Sequence, residues 1–336
     1  QAWCIVALVA VFIVFAASKY VYNTLEIIMY AAFVVANAGL AFFTITMATP
    51  AAAAQTAKGW LSVGLIPAGI TLGMIGPFLL QPAGAFWNFW HTYWVREKGM
   101  GMAKYFGRVT GLAYKPEDIR RSGYIFDASN PVELAKFKKW LRLNNITLAV
   151  FFIILGGVFF TYFASLAGFS AKTVYDMKVP PASDWRVAVI LTEIFKSAFG
   201  QLGVVFFGLV LIFTLFDSQF SIYDGIARIW ADAFYLEHPE TFGKRSYRYW
   251  YFIMLGALVI YGLIAIWLKT PYIIWLIANW LGTAAQAYIT FMIIIMNRKL
   301  LPEQIRPRGV SLVINLVWGV ILLVYFFAWT IKDRPF

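Results

Sequence analysis

GMIGPFLLQPAGAFWNFWHTYWVR, residues 73–96, is the stretch that decides how the chain can fold. It lies within an apolar segment running from Leu61 to Val95. As one straight helix that segment would be about 52 Å long at ~1.5 Å per residue, against a hydrocarbon layer of roughly 30 Å. Gly73, Gly76, Pro77, Pro82 and Gly84 cluster near its middle. Proline removes backbone donors and glycine relaxes the helical restraint, so an interruption is expected there. Peptide groups freed at membrane depth are tolerated only where protein or a water-filled cavity satisfies them. A broken membrane helix is a device that secondary transporters use to build substrate sites.

The rest of the composition places this stretch in a bilayer. Apolar residues make up 61% of the 336, aromatic residues 19% and charged residues 13%, where a soluble domain carries about 25% charged residues. The chain reads as an all-α polytopic membrane protein, a single transmembrane domain over residues 1–336. Spans are expected at 3–18, 24–48, 61–95, 145–167, 200–235, 249–268, 271–297 and 310–331. The formal charge of +12 forms no long basic tract, so it points to membrane topology and not to nucleic acid. Cys4 is the sole cysteine, which leaves no intrachain disulfide and no CxxC or Cys/His metal cluster. Gln1 opens the chain without a charged leader, so a preceding N-terminal segment or a partner chain is expected.

Charge asymmetry orients the spans. Twenty of the 28 Lys and Arg residues fall on one side, eleven of them in the 96–142 loop, and eight on the other. The positive-inside rule then puts loop 96–142 in the cytoplasm and the C-terminus outside the cell. Within the loop, KPEDIRR and ELAKFKKWLR read as short amphipathic pieces on the membrane surface, structural anchors more than partner sites. On the other side, a short helix is expected from Asp184 to Ala198.

Three spans carry polar residues at helical spacing. In the opening stretch Gln81, Gly84, Asn88 and His91 would share one helix face. Small and amide residues also glue helices together, but the predicted break coincides with Gln81, Pro82, Ala83 and Gly84, which favours a site. His91, close to Arg96 and Glu97, reads as a structural histidine. In the fifth span Asp217, Ser221, Asp224, Arg228 and Asp232 recur at steps of four, three, four and four. Asp224 and Arg228 can pair within the helix, and Arg228 with Asp232 is expected close to cytoplasmic water. Asp217 is deeper and marks a candidate pathway for a cation or proton. In the seventh span Asn279, Thr283, Gln286 and Thr290 repeat the pattern. Asn279 would sit about 12 Å and Thr283 about 18 Å inside the membrane, where neutral oxygens suit a hard or hydrated cation. Interhelical hydrogen bonding is the competing use. Glu26, in the second span, reads as structural.

Four stretches together resemble the Nramp (natural-resistance-associated macrophage protein) family of divalent-metal transporters, in particular its divergent magnesium-transporter-like branch. NTLEIIMYAAFVVANAGLAFF (residues 23–43) is similar to the family's fifth helix, and GMIGPFLLQPAGAFWNFWHTYWVREKG (73–99) to its broken sixth. FTLFDSQFSIYDGIARIWADAFY (213–235) resembles the eighth, and IIWLIANWLGTAAQAYITFMIIIMNRKLLP (273–302) the tenth. The resemblance implies an inverted-repeat, amino-acid-transporter-like helical bundle with a broken helix. The chain would then lack the family's N-terminal helices, including the one that supplies an Asp and an Asn to the ion. Metal-transporting members carry a Met at the break, and thioether sulfur favours softer metals. Gln81, Pro82, Ala83, Gly84 and Ala85 stand there instead, so the resemblance implies an oxygen-bound, magnesium- or manganese-like substrate. Carbonyls of Pro82 to Gly84 with the side chains of Gln81 and Asn279 would bind it, and Asn88, Asp217, Thr283 and Gln286 would line its pathway.

The expected function is alternating-access secondary transport of a divalent cation, with no cofactor beyond that transported ion and the bilayer as its surroundings. A non-transporting subunit of a larger membrane assembly is the alternative. An integral-membrane enzyme has less support: His91 and His238 are the only histidines and no paired carboxylates mark a cleft, so no catalytic constellation stands out.

Overall fold

A computed structural model of the chain describes residues 2–62, 70–76, 87–123, 125–173, 187–267 and 271–332. Every regular element among the described residues is helical. Six helices are long and apolar enough to cross a membrane: Val21–Met47, Pro131–Ser170, Phe199–Glu237, Tyr247–Ala265, Ile273–Leu300 and Val310–Lys332. The chain is therefore a multi-pass helical membrane protein in its build, as the apolar runs required. A shorter apolar helix, α1 (Ala2–Ala17), precedes them. It fills the expected first span but falls short of the ~20 residues a bilayer crossing takes.

The chain divides into two compact units. The first comprises Gln1–Leu61, Phe89–Ile125 and Val158–Lys269. In it α2 (Val21–Met47) packs on α8 (Val187–Asp232), α8 on α10 (Tyr247–Ala265), and α3 (Pro50–Leu61) on α7 (Thr161–Thr173). Phe15, Leu25, Phe220, Tyr251 and Leu255 are fully buried in its core. Helix α3 answers to no expected span: its PAAAAQTAKGWL sequence mixes alanines with Gln55 and Lys58, and hydropathy alone does not register it.

The second unit comprises Ser62–Asn88, Phe126–Gly157 and Thr270–Phe336. Its centre is the pair α11 (Pro271–Leu300) and α12 (Val310–Lys332). Trp280 Nε1 donates to Thr330 Oγ1 at 2.8 Å, and Gly319 leaves room for the ring of Phe291. The helical turn α4 (72–76) lies against α12. A Cβ at Gly76 would come 2.7 Å from the Trp329 ring, and Tyr325 donates its hydroxyl proton to the Leu72 carbonyl. Gly73 and Gly76 thus serve close packing against Trp329, a role that the sequence assigned to a helix break.

The 61–95 segment is not one helix. Its described residues comprise the end of α3, coil at Ser62, Ile70 and Thr71, the turn α4 and most of α5 (Trp87–Glu97). The expected break at Gln81, Pro82, Ala83 and Gly84 lies outside the described residues.

Two local expectations are corrected and a third holds. ELAKFKKWLR is no separate surface piece, because α6 (Pro131–Leu148) runs on through π-helical turns over Ala149–Phe160 into α7. The helical backbone has no breaker between Pro131 and the apolar run, so the basic turns extend the span. KPEDIRR forms no helix; residues 115–120 are extended coil, with Pro116 among them. The short helix expected from Asp184 to Ala198 is present from Val187 as the first arm of α8, separated from the span that follows by a kink at Gly200, where φ is +61° and ψ −150°. That conformation is open to glycine and strained for other residues.

The start of α6 is fixed by side chains. Asn130 Oδ1 accepts from Val132 N at 2.9 Å as the N-cap, and Pro131 takes the first helical position. Asp127 Oδ1 accepts from Ser129 Oγ at 2.6 Å and Ser129 N at 2.9 Å, and these bonds, the hydroxyl's first, hold its carboxyl below the ordinary value. A depressed carboxyl stabilises the fold above its unfolded value, and that contribution is lost as pH falls through the folded one. Ser129→Ala is expected to raise the Asp127 midpoint in a carboxyl carbon NMR titration; an unmoved midpoint would refute the hydroxyl's role.

Candidate functional site

Two clusters of polar side chains lie in the apolar body, one in each unit. The first forms where the last turn of α5 meets α8 and α10. Trp94 and Glu97 are three residues apart on α5, and Asp224 and Arg228 four apart on α8, so each pair shares a helix face. Asp224, Arg228 and Glu97 are fully buried. Arg228 Nε donates to Asp224 Oδ1 and Oδ2 at 3.0 and 2.9 Å. Its Nη1 lies 2.6 Å from Glu97 Oε1, a contact that is ionic more than directional. Asp224 also accepts from Tyr251 Oη at 2.8 Å and Trp94 Nε1 at 3.0 Å. The other Glu97 oxygen accepts from Val109 N at 3.1 Å. One turn further along α8, Asp232 accepts from Arg96 Nη1 at 3.0 Å, and Arg96 Nη2 donates to Tyr247 Oη at 3.0 Å.

This geometry corrects the expectation that Arg228 sits near cytoplasmic water: it is enclosed by two carboxylates and the Tyr251 ring. A buried guanidinium persists only when paired, and here one fork joins two helices. Removing Arg228 from the loop charges leaves the bias at nineteen to eight, so the topological argument is unchanged. Asp224 takes donors at both oxygens, and Glu97 accepts from Val109 N at one oxygen and sets the other against Arg228 Nη1, which makes the cluster a clamp. Among the described residues no group of three or more His, Cys, Asp or Glu could hold a metal. Sequence reading missed Glu97 and Trp94 as the partners of α8. Their separation of more than 120 residues leaves no periodic signal, and Asp224 and Asp232 on its own helix already offered Arg228 acidic partners.

The clamp also includes the loop that follows α5. Gly111 N donates to Ser18 O at 2.9 Å and Ala113 N to Ala16 O at 3.2 Å, so this strap satisfies carbonyls at the end of α1. Val21 N donates to Val109 O at 3.1 Å, which ties the strap to the start of α2 as well. Arg248 Nη1 donates to Gly111 O at 3.0 Å, and Tyr235 Oη to Ile119 O at 3.3 Å. Lys98 pairs with Glu26, giving Glu26 the structural role expected of it.

The second cluster is the stripe on α11. Trp280 and Phe291 mark the face that packs on α12. Asn279, Thr283, Gln286 and Thr290 fall about 70–130° to one side of that face. Thr283, Gln286 and Thr290 are buried. Asn279 Nδ2 donates to Trp275 O at 2.7 Å, Thr283 Oγ1 to Asn279 O at 2.9 Å, and Thr290 Oγ1 to Gln286 O at 2.8 Å. Each of these three groups gives its proton back to its own helix, four residues earlier, and keeps oxygen lone pairs. Gln286 Oε1 is buried without a hydrogen-bond partner among the described residues. The stripe thus offers a row of oxygen acceptors, which a cation requires, beside the amide N–H groups of Asn279 and Gln286.

Of the other expected site residues, Gln81, Pro82, Ala83 and Gly84 lie outside the described residues. Asn88 lies on α5 and Asp217 on α8, with their side chains outside what is described. His91 is half-buried on α5. No protein-family model, no curated protein and no solved structure matches the chain.

Proposed function

We propose that the chain carries a divalent cation of magnesium or manganese type across the membrane by alternating access, with an inverted-repeat build like that of the Nramp-related transporters it resembles. The observation that carries this reading is the row of oxygens on α11, above all Gln286 Oε1, buried and without a hydrogen-bond partner among the described residues. A buried amide oxygen left without a donor costs about 1–3 kcal/mol, and a cation or its water shell would satisfy it. Neutral oxygens suit a hard ion that keeps part of its hydration. Gln81 and the carbonyls of Pro82, Ala83 and Gly84 complete the proposed site, with Asn88 and Asp217 along the approach. In this reading loop 96–142 faces the cytoplasm and the C-terminus the outside, following the basic-residue bias.

The test is uptake of magnesium and manganese into liposomes carrying the complete protein. Gln286→Leu and Asn279→Leu together are expected to lower uptake at least about tenfold, one factor of ten corresponding to ~1.4 kcal/mol of ion stabilisation. Thermal stability without added ion should hold or rise, because Gln286 Oε1 is a buried oxygen that has no donor among the described residues. Unchanged uptake in the double variant would remove the α11 row from the pathway, and absence of uptake in the parent would remove the transport reading.

A further inference from the structure

Helix α6 carries its charge in a pattern that the transport reading does not use. Lys138, Arg142, Asn145 and Ala149 recur at steps of four, three and four, so they share one face. With Leu141 and Ile146 they border a shallow, open groove between side chains on the outer face of this one helix, about 380 Å³ in volume. Lys138, Arg142 and Asn145 are exposed, as are Leu141 and Ile146 beside them, and no residue of α6 is buried. Neither Lys138 nor Arg142 has a carboxylate partner among the described residues.

The position of the groove along the helix identifies what fills it. The apolar run of this span starts at Ile146 and continues through AVFFIILGGVFF without a charge. Arg142 stands about 6 Å and Lys138 about 12 Å before that point at ~1.5 Å per residue. The headgroup layer on each face of a bilayer is roughly 5–8 Å deep, so Arg142 and Asn145 lie at its level and Lys138 closes it from the water side. Trp140, 44% exposed, stands about 9 Å before Ile146 at ~1.5 Å per residue, at the outer edge of this layer, and indole rings are enriched at membrane boundaries. Below the charges, Ile146 and Ala149 give the groove an apolar floor that continues into the hydrocarbon layer. A ligand fitting both parts has an anionic head and a hydrocarbon tail.

We propose that Lys138, Arg142 and Asn145 form a headgroup site for an anionic phospholipid whose acyl chain runs down the α6 face past Ile146 and Ala149. Arg142 supplies a forked donor for the phosphate, Lys138 a second positive charge and Asn145 an amide donor. Lys136 and Lys139 lie off this face and take no part, which separates a site from diffuse attraction between a basic helix and a charged surface.

The test is native mass spectrometry of the full chain titrated separately with phosphatidylglycerol, phosphatidylcholine and inorganic phosphate. Phosphatidylglycerol is expected to bind as discrete adducts and phosphatidylcholine to bind at least several-fold more weakly. Lys138→Gln with Arg142→Gln should weaken phosphatidylglycerol binding about tenfold or more, given that each surface charge near an anionic headgroup matters at roughly that scale. Lys136→Gln with Lys139→Gln removes the same charge and should stay within about twofold of the parent. Equal weakening by both double variants would overturn the site in favour of diffuse attraction. Equal binding of the two lipids would overturn the anionic headgroup, and displacement of phosphatidylglycerol by inorganic phosphate at equal concentration would overturn the lipid in favour of a free anion.

Discussion

Arg228→Met is expected to lower the unfolding free energy by about 3–5 kcal/mol, the range found when one partner of a buried ion pair is removed. The substitution keeps a long apolar stem, so the loss comes from charge and not from volume. Glu97 and Asp224, both fully buried, would face each other without the guanidinium between them. Arg228→Lys should recover only part of the loss. Nε of the arginine serves Asp224 while Nη1 reaches Glu97, and one ammonium cannot reproduce that fork. Adding Glu97→Gln and Asp224→Asn to Arg228→Met should restore most of the stability. The amide oxygen at position 97 still accepts from Val109 N, and at position 224 the amide oxygen accepts from Trp94 Nε1 while the amide N–H donates to Tyr251 Oη, so no charge is left to desolvate. Reversible unfolding in detergent micelles measures all three, and a single Arg228→Met variant within about 1 kcal/mol of the parent would refute the clamp.

Gly111→Ala should rank second, with a loss of about 3 kcal/mol, by combining overpacking with broken backbone hydrogen bonds. A Cβ there would come within 2.3 Å of Ser18 O, 2.5 Å of Ala16 O and 2.7 Å of Phe15 O. All three are backbone atoms, so no rotamer change relieves the clash. The strap would have to lift, which frees the Ser18 and Ala16 carbonyls at the end of α1 and the Gly111 carbonyl held by Arg248. Gly123→Ala is the matched control: nothing lies within 4 Å of its added methyl, and the loss of unfolded-chain freedom should leave it neutral or slightly stabilised. Thermal melting that shows the two glycines equally tolerant of alanine would mean that the strap does not dock as described.

These two expectations concern one mechanical feature. The last turn of α5 is joined to α8 through Glu97 and Trp94, to α8 and α10 through Arg96, and to the strap through Glu97 and Val109 N. In the proposed transport cycle the segment after a helix break would therefore move together with α8 and α10. Arg228→Met bears on that as well: with the clamp open, uptake should fall by more than the fraction of protein unfolded.

Sequence alone determined that this is a membrane-embedded helical protein and where most of its spans run. Uncharged runs such as Val310 to Ile331 leave the backbone no alternative in lipid but to bond to itself. The ends of α10, α11 and α12 fall within a few residues of the expected limits, because Ser246, Pro271 and Gly309 punctuate the chain. The polar stripe on α11 was legible for the same reason, since four side chains at steps of four, three and four follow from helical geometry and nothing else. Only the tertiary structure decided what the polar groups touch. Arg228 read as a solvated end residue because Asp224 and Asp232 flank it on its own helix. Its burial depends on Glu97, 131 positions earlier, and on the strap that closes over both. The roles of Gly73 and Gly76 likewise needed Trp329, more than 250 positions away. Helical periodicity is a property of neighbours in the chain, while ion pairing and close packing are properties of neighbours in space, and the burial of a charge is set by the second alone.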